Sequence, residues 1–399
     1  QPMLDTWTAV NPQGYRMFKS YVYSARDVDA DRNTDVPYNL RTVNPLLTYA
    51  WFTHDTQAIK LIADYATSWR DAIMAEGQGK PAGIVPMVIT FDQRQFKWPQ
   101  SPNWYDPGYY RFPTGYTDNI YSLMLAAYEL TGEERYLDPI RLAMKLLREV
   151  EPPSTANQTS SYYRIDDLAY MDKELKHGSL RWALWHGRRA ICDGGARYRL
   201  LTGDTQFDDV LMQYGSAVTR SRLAFVNAEN GKQRRLAMEP IKKALTDVLE
   251  HMDYNIALRT TEPKSTDRVW VHGTEQIIAM STGTHTLGSI RGRERQWPLF
   301  GVTWQNTGLD VAIWITHNTP DRLEGYVYNV SEQPKKLGMR LWRLAQGNYQ
   351  LTVRSSDGFE VDSQSHPLEQ SELTLHARGD QAQFTALPRQ EIHFQMKRR

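Results

Sequence analysis

The sequence predicts an α+β chain in which two folded domains follow a short lead-in, residues 1–35. Two changes of pattern carry this prediction. Apolar residues recur over residues 36–284 at the three-and-four spacing of buried helix faces, arranged as helical hairpins. Over residues 285–399 the chain changes to six short runs of strand character, separated by turn residues. We therefore expect a helical domain followed by an antiparallel β-sandwich of immunoglobulin type.

The clearest helical hairpin spans residues 116–149. Its first helix is expected to end at Gly132, because glycine readily adopts the left-handed conformation that closes a helix. Thr131 and Glu134 predict a capping box at the start of the second helix, where each side chain can accept a hydrogen bond from a free backbone N–H. The inner face of that second helix comprises Tyr136, Leu137, Ile140, Ala143, Met144 and Leu147.

The junction between the two helices recurs twice elsewhere in the chain. Residues 53–55 (Thr-His-Asp) and 202–204 (Thr-Gly-Asp) each separate two helical segments, and successive junctions lie about 70 to 80 residues apart. That interval exceeds the roughly 34 to 47 residues of two-helix solenoid repeats. The excess lies in long loops before the first helix of each pair.

Repeated hairpins with long loops at one end resemble an α/α toroid, in which inner helices surround a cleft. Over residues 36–260 the chain is similar to the α/α-toroid carbohydrate-active enzymes, which include polysaccharide lyases and some glycoside hydrolases. The resemblance implies an N-terminal barrel of helical hairpins, complete or incomplete. It also implies that the loops before the inner helices meet at one end of the barrel and form the site there.

Net charge, apolar runs and cysteine content limit the classes of molecule and metal site expected for this chain. A net charge of +1 over 399 residues gives no electrostatic reason to expect nucleic acid or an anionic membrane as partner. No apolar run reaches the roughly 20 residues of a membrane-spanning helix. The single cysteine, Cys192, excludes an internal disulfide and a multi-cysteine zinc site.

Aromatic residues are abundant, with 12 Trp and 22 Tyr, and many of them lie in loops. Flat aromatic faces suit the packing of sugar rings, although large cores use them too. The connection 76–115 has no helical pattern and is too apolar for disorder, so it is either a packed flap or a substrate-binding wall. Its candidate substrate-binding residues are Trp104, Tyr105, Tyr109, Tyr110 and Arg111.

Under the resemblance, residues at the starts of the inner helices and in the adjoining loops form the site. The implied catalytic residues are His186, Tyr163, Tyr116, Asn119, Arg189 and His177. The remaining substrate-binding candidates are Arg164, Arg41, Asn44 and Trp185.

Such a set of Asn, His, Tyr and Arg resembles the catalytic set of toroidal polysaccharide lyases, which cleave by β-elimination. Asn, Arg or a protonated His can neutralise the uronate carboxylate and so ease removal of the adjacent C5 proton. Tyr and His can take that proton and protonate the leaving oxygen. His186 is the strongest candidate for a catalytic residue. The alternative is that His186 is a packing residue of the helix whose ring is hydrogen-bonded.

The segment 26–35 alternates carboxylates with other residues. Asp27, Asp29 and Asp31 resemble the start of a calcium-binding loop, which requires several hard oxygen ligands on a short turn. The glycine and the distal glutamate of an EF-hand are missing, and neighbouring arginines could neutralise the carboxylates. A structural Ca²⁺ site and a solvated acidic turn are therefore both open, and the expected reaction requires no cofactor.

The sequence thus favours a polysaccharide lyase that cleaves a uronic-acid polysaccharide, with an acidic polysaccharide or oligosaccharide as its partner. One alternative is a glycoside hydrolase that uses two carboxylates. Candidates for that pair are Asp106, Asp118, Asp166, Asp167 and Glu275. A second alternative is a glycan-binding protein without catalysis. The expected substrate implies a secreted or periplasmic location.

Overall fold

The structure, a computed structural model, describes residues 6–21, 32–92, 94–106, 117–151, 176, 178–215, 217–240, 242–243, 301–308, 310–361 and 366–399. The chain divides into two compact units, Gln1–Tyr198 with Asp209–Tyr214, and Arg199–Asp208 with Gly215–Arg399. Helices occupy the N-terminal half and strands dominate the C-terminal region, so the α+β prediction is confirmed. The domain boundary predicted between residues 284 and 285 lies outside the described residues.

The described part of the first unit contains two small antiparallel strand pairs and a series of helices. Strand β1 (Thr8–Val10) pairs with β2 (Arg16–Phe18), and β3 (Thr34–Asp35) pairs with β4 (Ile89–Thr90). A 3-10 helix, Pro37–Thr42, precedes the α-helices. These are α1 (Asn44–Thr53), α2 (Thr56–Met74), α3 (Thr117–Thr131), α4 (Asp138–Glu149), α5 (Leu180–Thr202) and α6 (Asp208–Tyr214).

The predicted junctions between helices are present and share one geometry. At each, the threonine hydroxyl accepts a hydrogen bond of 3.2–3.3 Å from the backbone N–H two residues further on. The residue after the threonine is left-handed, with φ of 52° at His54, 74° at Gly132 and 75° at Gly203. The sequence therefore located the helix ends correctly, including the closure at Gly132.

The capping box predicted from Thr131 and Glu134 is wrong. The chain re-enters helical structure through a 3-10 turn, Glu134–Leu137, so Glu134 is its first residue rather than its third, and Glu133 caps it without a side-chain hydrogen bond. The Glu134 carboxylate instead accepts from Arg141 at 2.7 Å. Thr131 donates to the carbonyl of Ala127, one turn back in α3.

Helix α5 approaches its neighbours closely at two glycines. A Cβ added at Gly194 would lie 2.9 Å from the Cβ of Tyr121 in α3, and one added at Gly195 would lie 2.7 Å from the Sδ of Met144 in α4. Real Cβ atoms do not approach other atoms so closely. The Tyr121 Cβ is attached directly to its backbone, so position 194 requires glycine, whereas a Cβ at position 195 would force the end of the Met144 side chain to move. Both glycines therefore let α5 pack against the hairpin formed by α3 and α4.

The second unit contains two antiparallel sheets. One has the order β10 (Glu360–Val361), β9 (Gly347–Asp357), β13 (Glu391–Arg398), β7 (Arg322–Asn329) and β6 (Val311–Asn318), and β11 (Glu369–Leu375) also pairs with β9. The other has the order β12 (Gln381–Ala386), β8 (Lys335–Leu341) and β5 (Val302–Gln305). Alternate residues of both sheets enter one hydrophobic core, which includes Val327, Met339, Phe384 and Phe394.

Helices cover part of the other face of the larger sheet. Phe225 of α7 (Ala217–Val226) packs edge-on against Trp314, Tyr326 and Phe359, with ring centroids 4.9–6.1 Å apart. The helical residues 231–240 complete this second core through Ala237. Arg222 of α7 donates to the carbonyl of Ile315 at 2.9 Å and so satisfies a backbone acceptor of β6.

A carboxylate lies on the same face of this sheet, beside the aromatic core. Glu324 accepts from His393 at 3.0 Å and from Gln395 at 3.1 Å, and it forms an ion pair with Arg322. Burial opposes its charge, but the hydrogen bonds and the positive neighbours lower the pKa of Glu324 to about 2. Glu324 is therefore ionised at any ordinary pH.

Across the described residues, no helix combines the length and the apolar character that crossing a membrane requires.

Candidate functional site

A cavity of about 30 Å³ lies in the first unit, between helix α5 and the loop that follows α2. That volume holds about two water molecules and is too small for a sugar ring. Its described lining residues are Ile84, Val85, Met87, Trp104, Tyr121, Trp182, Ala183, His186, Gly187 and Ile191. We call this cavity the α5 recess.

Helix α5 supplies one wall of the α5 recess. Trp182 and His186 lie one turn apart, as do Gly187 and Ile191, so the helical repeat places all four along one face. The start of the helix is fixed by Ser179, whose Oγ accepts from the backbone N–H of Trp182 at 3.1 Å. This hydrogen bond fixes where helix α5 begins, and so where its residues lie along the α5 recess.

Three aromatic residues surround the outer end of that wall. The rings of Trp104, Tyr105 and Trp182 contact one another edge-on, with centroids 5.6–6.3 Å apart. Gly178, left-handed with φ of 74°, lies so close to the Tyr105 ring that a Cβ would come within 2.3 Å of it. Glycine at this position therefore allows the start of α5 to pack against the aromatic group.

His186 is buried, with 4 % of its surface exposed, and its ring lies 4.8 Å from that of Trp182 at a tilt of 48°. Among the described lining residues, none is Asp, Glu, Lys or Arg. A charge that enters the α5 recess would therefore lose its hydration without a described counter-ion, which is costly. His186 is the side chain that can accept a proton among the described residues of the α5 wall.

Tyr121 of α3 also lines the α5 recess and is 3 % exposed. Burial, with a smaller contribution from Cys192, raises the pKa of the Tyr121 hydroxyl above its ordinary value. Tyr121 therefore keeps its proton at neutral pH, where it can donate a hydrogen bond but cannot serve as a phenolate base.

A buried lysine supports the opposite wall. Lys80 is 2 % exposed, and its Nζ donates to the carbonyls of Ile73, Pro81 and Ile84 at 3.2, 2.7 and 3.1 Å. Burial lowers the pKa of Lys80 to about 7, against a smaller opposing effect of Glu76. Through Ile84, this ammonium group ties the wall of the α5 recess to the end of α2.

Two residues predicted from the sequence, Trp104 and His186, line the α5 recess, and Tyr105 contacts it through Trp182. Trp185 does not line it: its ring packs against Tyr214, with the Arg188 guanidinium 4.1 Å from its centre. Sequence reasoning missed Trp182 and Tyr121. A signal for Trp182 was available, because it precedes His186 by one helical turn.

The other predicted residues divide into two groups. The backbone is described for Arg41 in the 3-10 helix, Asn44 at the start of α1, Asn119 in α3 and Arg189 in α5. Outside the described residues lie Tyr109, Tyr110, Arg111, Tyr116, Tyr163, Arg164 and His177, together with the calcium candidates Asp27, Asp29 and Asp31.

Within the described ranges, no group of three or more His, Cys, Asp or Glu side chains has the arrangement needed to hold a metal ion. The chain matches no protein-family model, and no curated protein is significantly similar to it in sequence.

Proposed function

We propose that this chain is a polysaccharide lyase that cleaves a uronic-acid polysaccharide by β-elimination. The proposal includes an α/α toroid for the helical region, a β-sandwich for the two sheets, and a secreted or periplasmic location. The observation that carries it is the aromatic wall of Trp104, Tyr105 and Trp182 around a buried histidine, His186. Aromatic faces suit sugar rings, and histidine can exchange the proton that elimination requires.

In the proposed reaction His186 removes the C5 proton or protonates the leaving oxygen. Tyr163, Tyr116 and His177 are the partners proposed for the complementary proton transfer. Asn119 and Arg189 neutralise the uronate carboxylate, which lowers the cost of forming the carbanion-like transition state. Arg41, Asn44, Arg111 and Arg164 hold further carboxylates of the polymer, since guanidinium groups can bind a carboxylate through two parallel hydrogen bonds. The sugar rings rest on Tyr105, Tyr109 and Tyr110. Trp104, which is 2 % exposed, contributes through its edge-on contact with Tyr105.

The alternatives are a glycoside hydrolase, which uses two carboxylates as acid and as base or nucleophile, and a glycan-binding protein without catalysis. A panel of acidic polysaccharides should separate the alternatives. A lyase produces the ultraviolet absorbance of an unsaturated uronate at each cleavage. New reducing ends without that absorbance would identify a hydrolase, and binding without either signal would identify a glycan-binding protein.

His186→Ala tests the central residue. We expect turnover to be lost and polymer affinity to be kept, because the histidine acts on the transferred proton and not on the bound ground state. Arg189→Ala should weaken both, since a carboxylate partner is needed throughout. His393→Gln is the matched control, because it removes a buried histidine of the other unit. Near-normal turnover by a folded His186→Ala protein would remove His186 from the mechanism.

A further inference from the structure

Helix α5 contains three interior glycines, and two of them are explained by packing. A Cβ would come within 2.9 Å of Tyr121 at Gly194 and within 2.7 Å of Met144 at Gly195. Gly187 is different. Among the described residues, a Cβ there would meet only Ile191, at an ordinary contact distance of 3.6 Å.

No packing contact within the described part of the chain therefore requires glycine at position 187, yet glycine weakens the helix there. Among residues other than proline, glycine is the least favourable in a helix interior. What the missing side chain does provide is space, because Gly187 lines the α5 recess next to His186. Alanine would place a methyl group in a cavity of only about 30 Å³ and fill much of it.

The size and the lining of the α5 recess limit what it can accept. Room for about two waters corresponds to two or three heavy atoms, which is a substituent and not a ring. The described lining is mostly apolar and carries no Asp, Glu, Lys or Arg, so a neutral group enters at far lower cost than a carboxylate.

We infer that Gly187 is a specificity-determining position, which keeps the α5 recess open for a small neutral substituent of the sugar substrate, such as an acetyl group. This inference rests on the proposed function for the identity of the substrate. It separates two tasks: Asn119 and Arg189 bind the carboxylate of the reacting sugar outside the α5 recess, and the α5 recess detects whether that sugar carries the neutral group.

The first test compares one acidic polysaccharide in its O-acetylated form and after alkaline deacetylation. Wild-type enzyme should show a higher kcat/KM on the acetylated form. In Gly187→Ala this preference should fall by about tenfold, the usual effect of filling a pocket by one methyl group. The kcat/KM on the deacetylated polymer is the reference for this ratio in each protein. An unchanged ratio in the folded variant would overturn the inference.

Gly195→Ala is the matched control, since it makes the same change in the same helix. Its Cβ would press on Met144, so it should lower Tm and leave the acetyl preference unchanged. Gly187→Ala should instead raise Tm by about 2–4 °C through improved helix propensity. A lowered Tm for Gly187→Ala would show that the position serves packing after all.

A second measurement does not depend on turnover, so it separates failure of this inference from failure of the proposed function. Acetamide and acetate have the same shape but differ in charge. Titration of each, followed by tryptophan fluorescence of Trp104 and Trp182, should show saturable binding of acetamide alone. Gly187→Ala should bind neither. Equal binding of acetate, acetamide binding by the variant, or no acetamide binding by wild type would each contradict the inference.

Discussion

At the scale of single residues, Asp35 is a carboxyl group whose ionisation is opposed by burial. The side chain is fully buried, and the donors around it include the amide of Asn39 at 2.9 Å, the N–H of Phe18 at 3.3 Å and the hydroxyl of Tyr65 at 3.4 Å. Burial outweighs these donors and raises the pKa of Asp35 from 3.8 to about 7. The folded protein therefore binds this proton more tightly than the unfolded chain does.

The sign of the pH dependence follows from that difference. The stabilisation from the bound proton is complete below the unfolded value of 3.8 and is lost as pH rises towards the folded value of about 7. We expect Asp35→Asn to be more stable than wild type at pH 8 by about 2–4 kcal/mol and to match it near pH 4. Urea unfolding across this range measures the effect, and the exposed Asp64→Asn is the control. If the free energy of unfolding changed with pH in the same way in wild type and in Asp35→Asn, this prediction would be wrong.

Lys80 provides a second prediction at this scale. Lys80→Met keeps most of the side-chain volume but leaves the carbonyls of Ile73, Pro81 and Ile84 without their donor. We expect a loss of about 2–4 kcal/mol in the free energy of unfolding, because buried acceptors lose their hydrogen bonds. Lys60→Met, which removes an exposed i,i+4 pair with Asp64, should cost less than about 0.5 kcal/mol. Equal effects of the two substitutions in denaturant melts would refute the role assigned to Lys80.

At the scale of elements, the helix junctions allow a test of backbone strain by itself. Gly132 and Gly203 are left-handed, and a Cβ at either position would meet no atom of the described residues within 4 Å. Alanine at either site should therefore cost about 1–2 kcal/mol from conformation alone. His54 is also left-handed, with φ of 52°. Substitution of His54 by glycine should therefore raise the free energy of unfolding, because glycine adopts this conformation without strain. Chemical denaturation of the three variants checks this, and no loss at Gly132 or Gly203 would count against the assigned conformation.

The junctions and six of the nine described strands of the second unit could be predicted from the sequence, because their signals are local. Strands β5 and β10 of that unit and β1 to β4 of the first unit were not predicted. Strand β12 was missed: its buried positions are Ala382, Phe384 and Ala386, so a single large apolar residue marks the alternation. The site was predicted only in part for a related reason. His186 and Trp104 stood out by residue type, whereas Tyr121 joins the α5 recess through helix packing, which no local pattern records.

At the scale of the whole molecule, each compact unit encloses its own hydrophobic core. Leu61, Ile62 and Trp69 of α2 belong to the first unit, and the shared core of the two sheets belongs to the second. A separate core is the condition for folding as a separate cooperative unit. We therefore expect calorimetry to resolve two unfolding transitions instead of a single two-state transition.

Substitutions assign each transition to its unit. Phe225→Ala removes the ring that contacts Trp314, Tyr326 and Phe359, and it should destabilise the second unit by about 3–5 kcal/mol. In this variant the unfolding transition of the second unit should move to lower temperature, while the transition of the first unit stays at the same temperature. Lys80→Met should move only the transition of the first unit. A single transition that both substitutions shift equally would show that the two units unfold as one, and that their cores do not act independently.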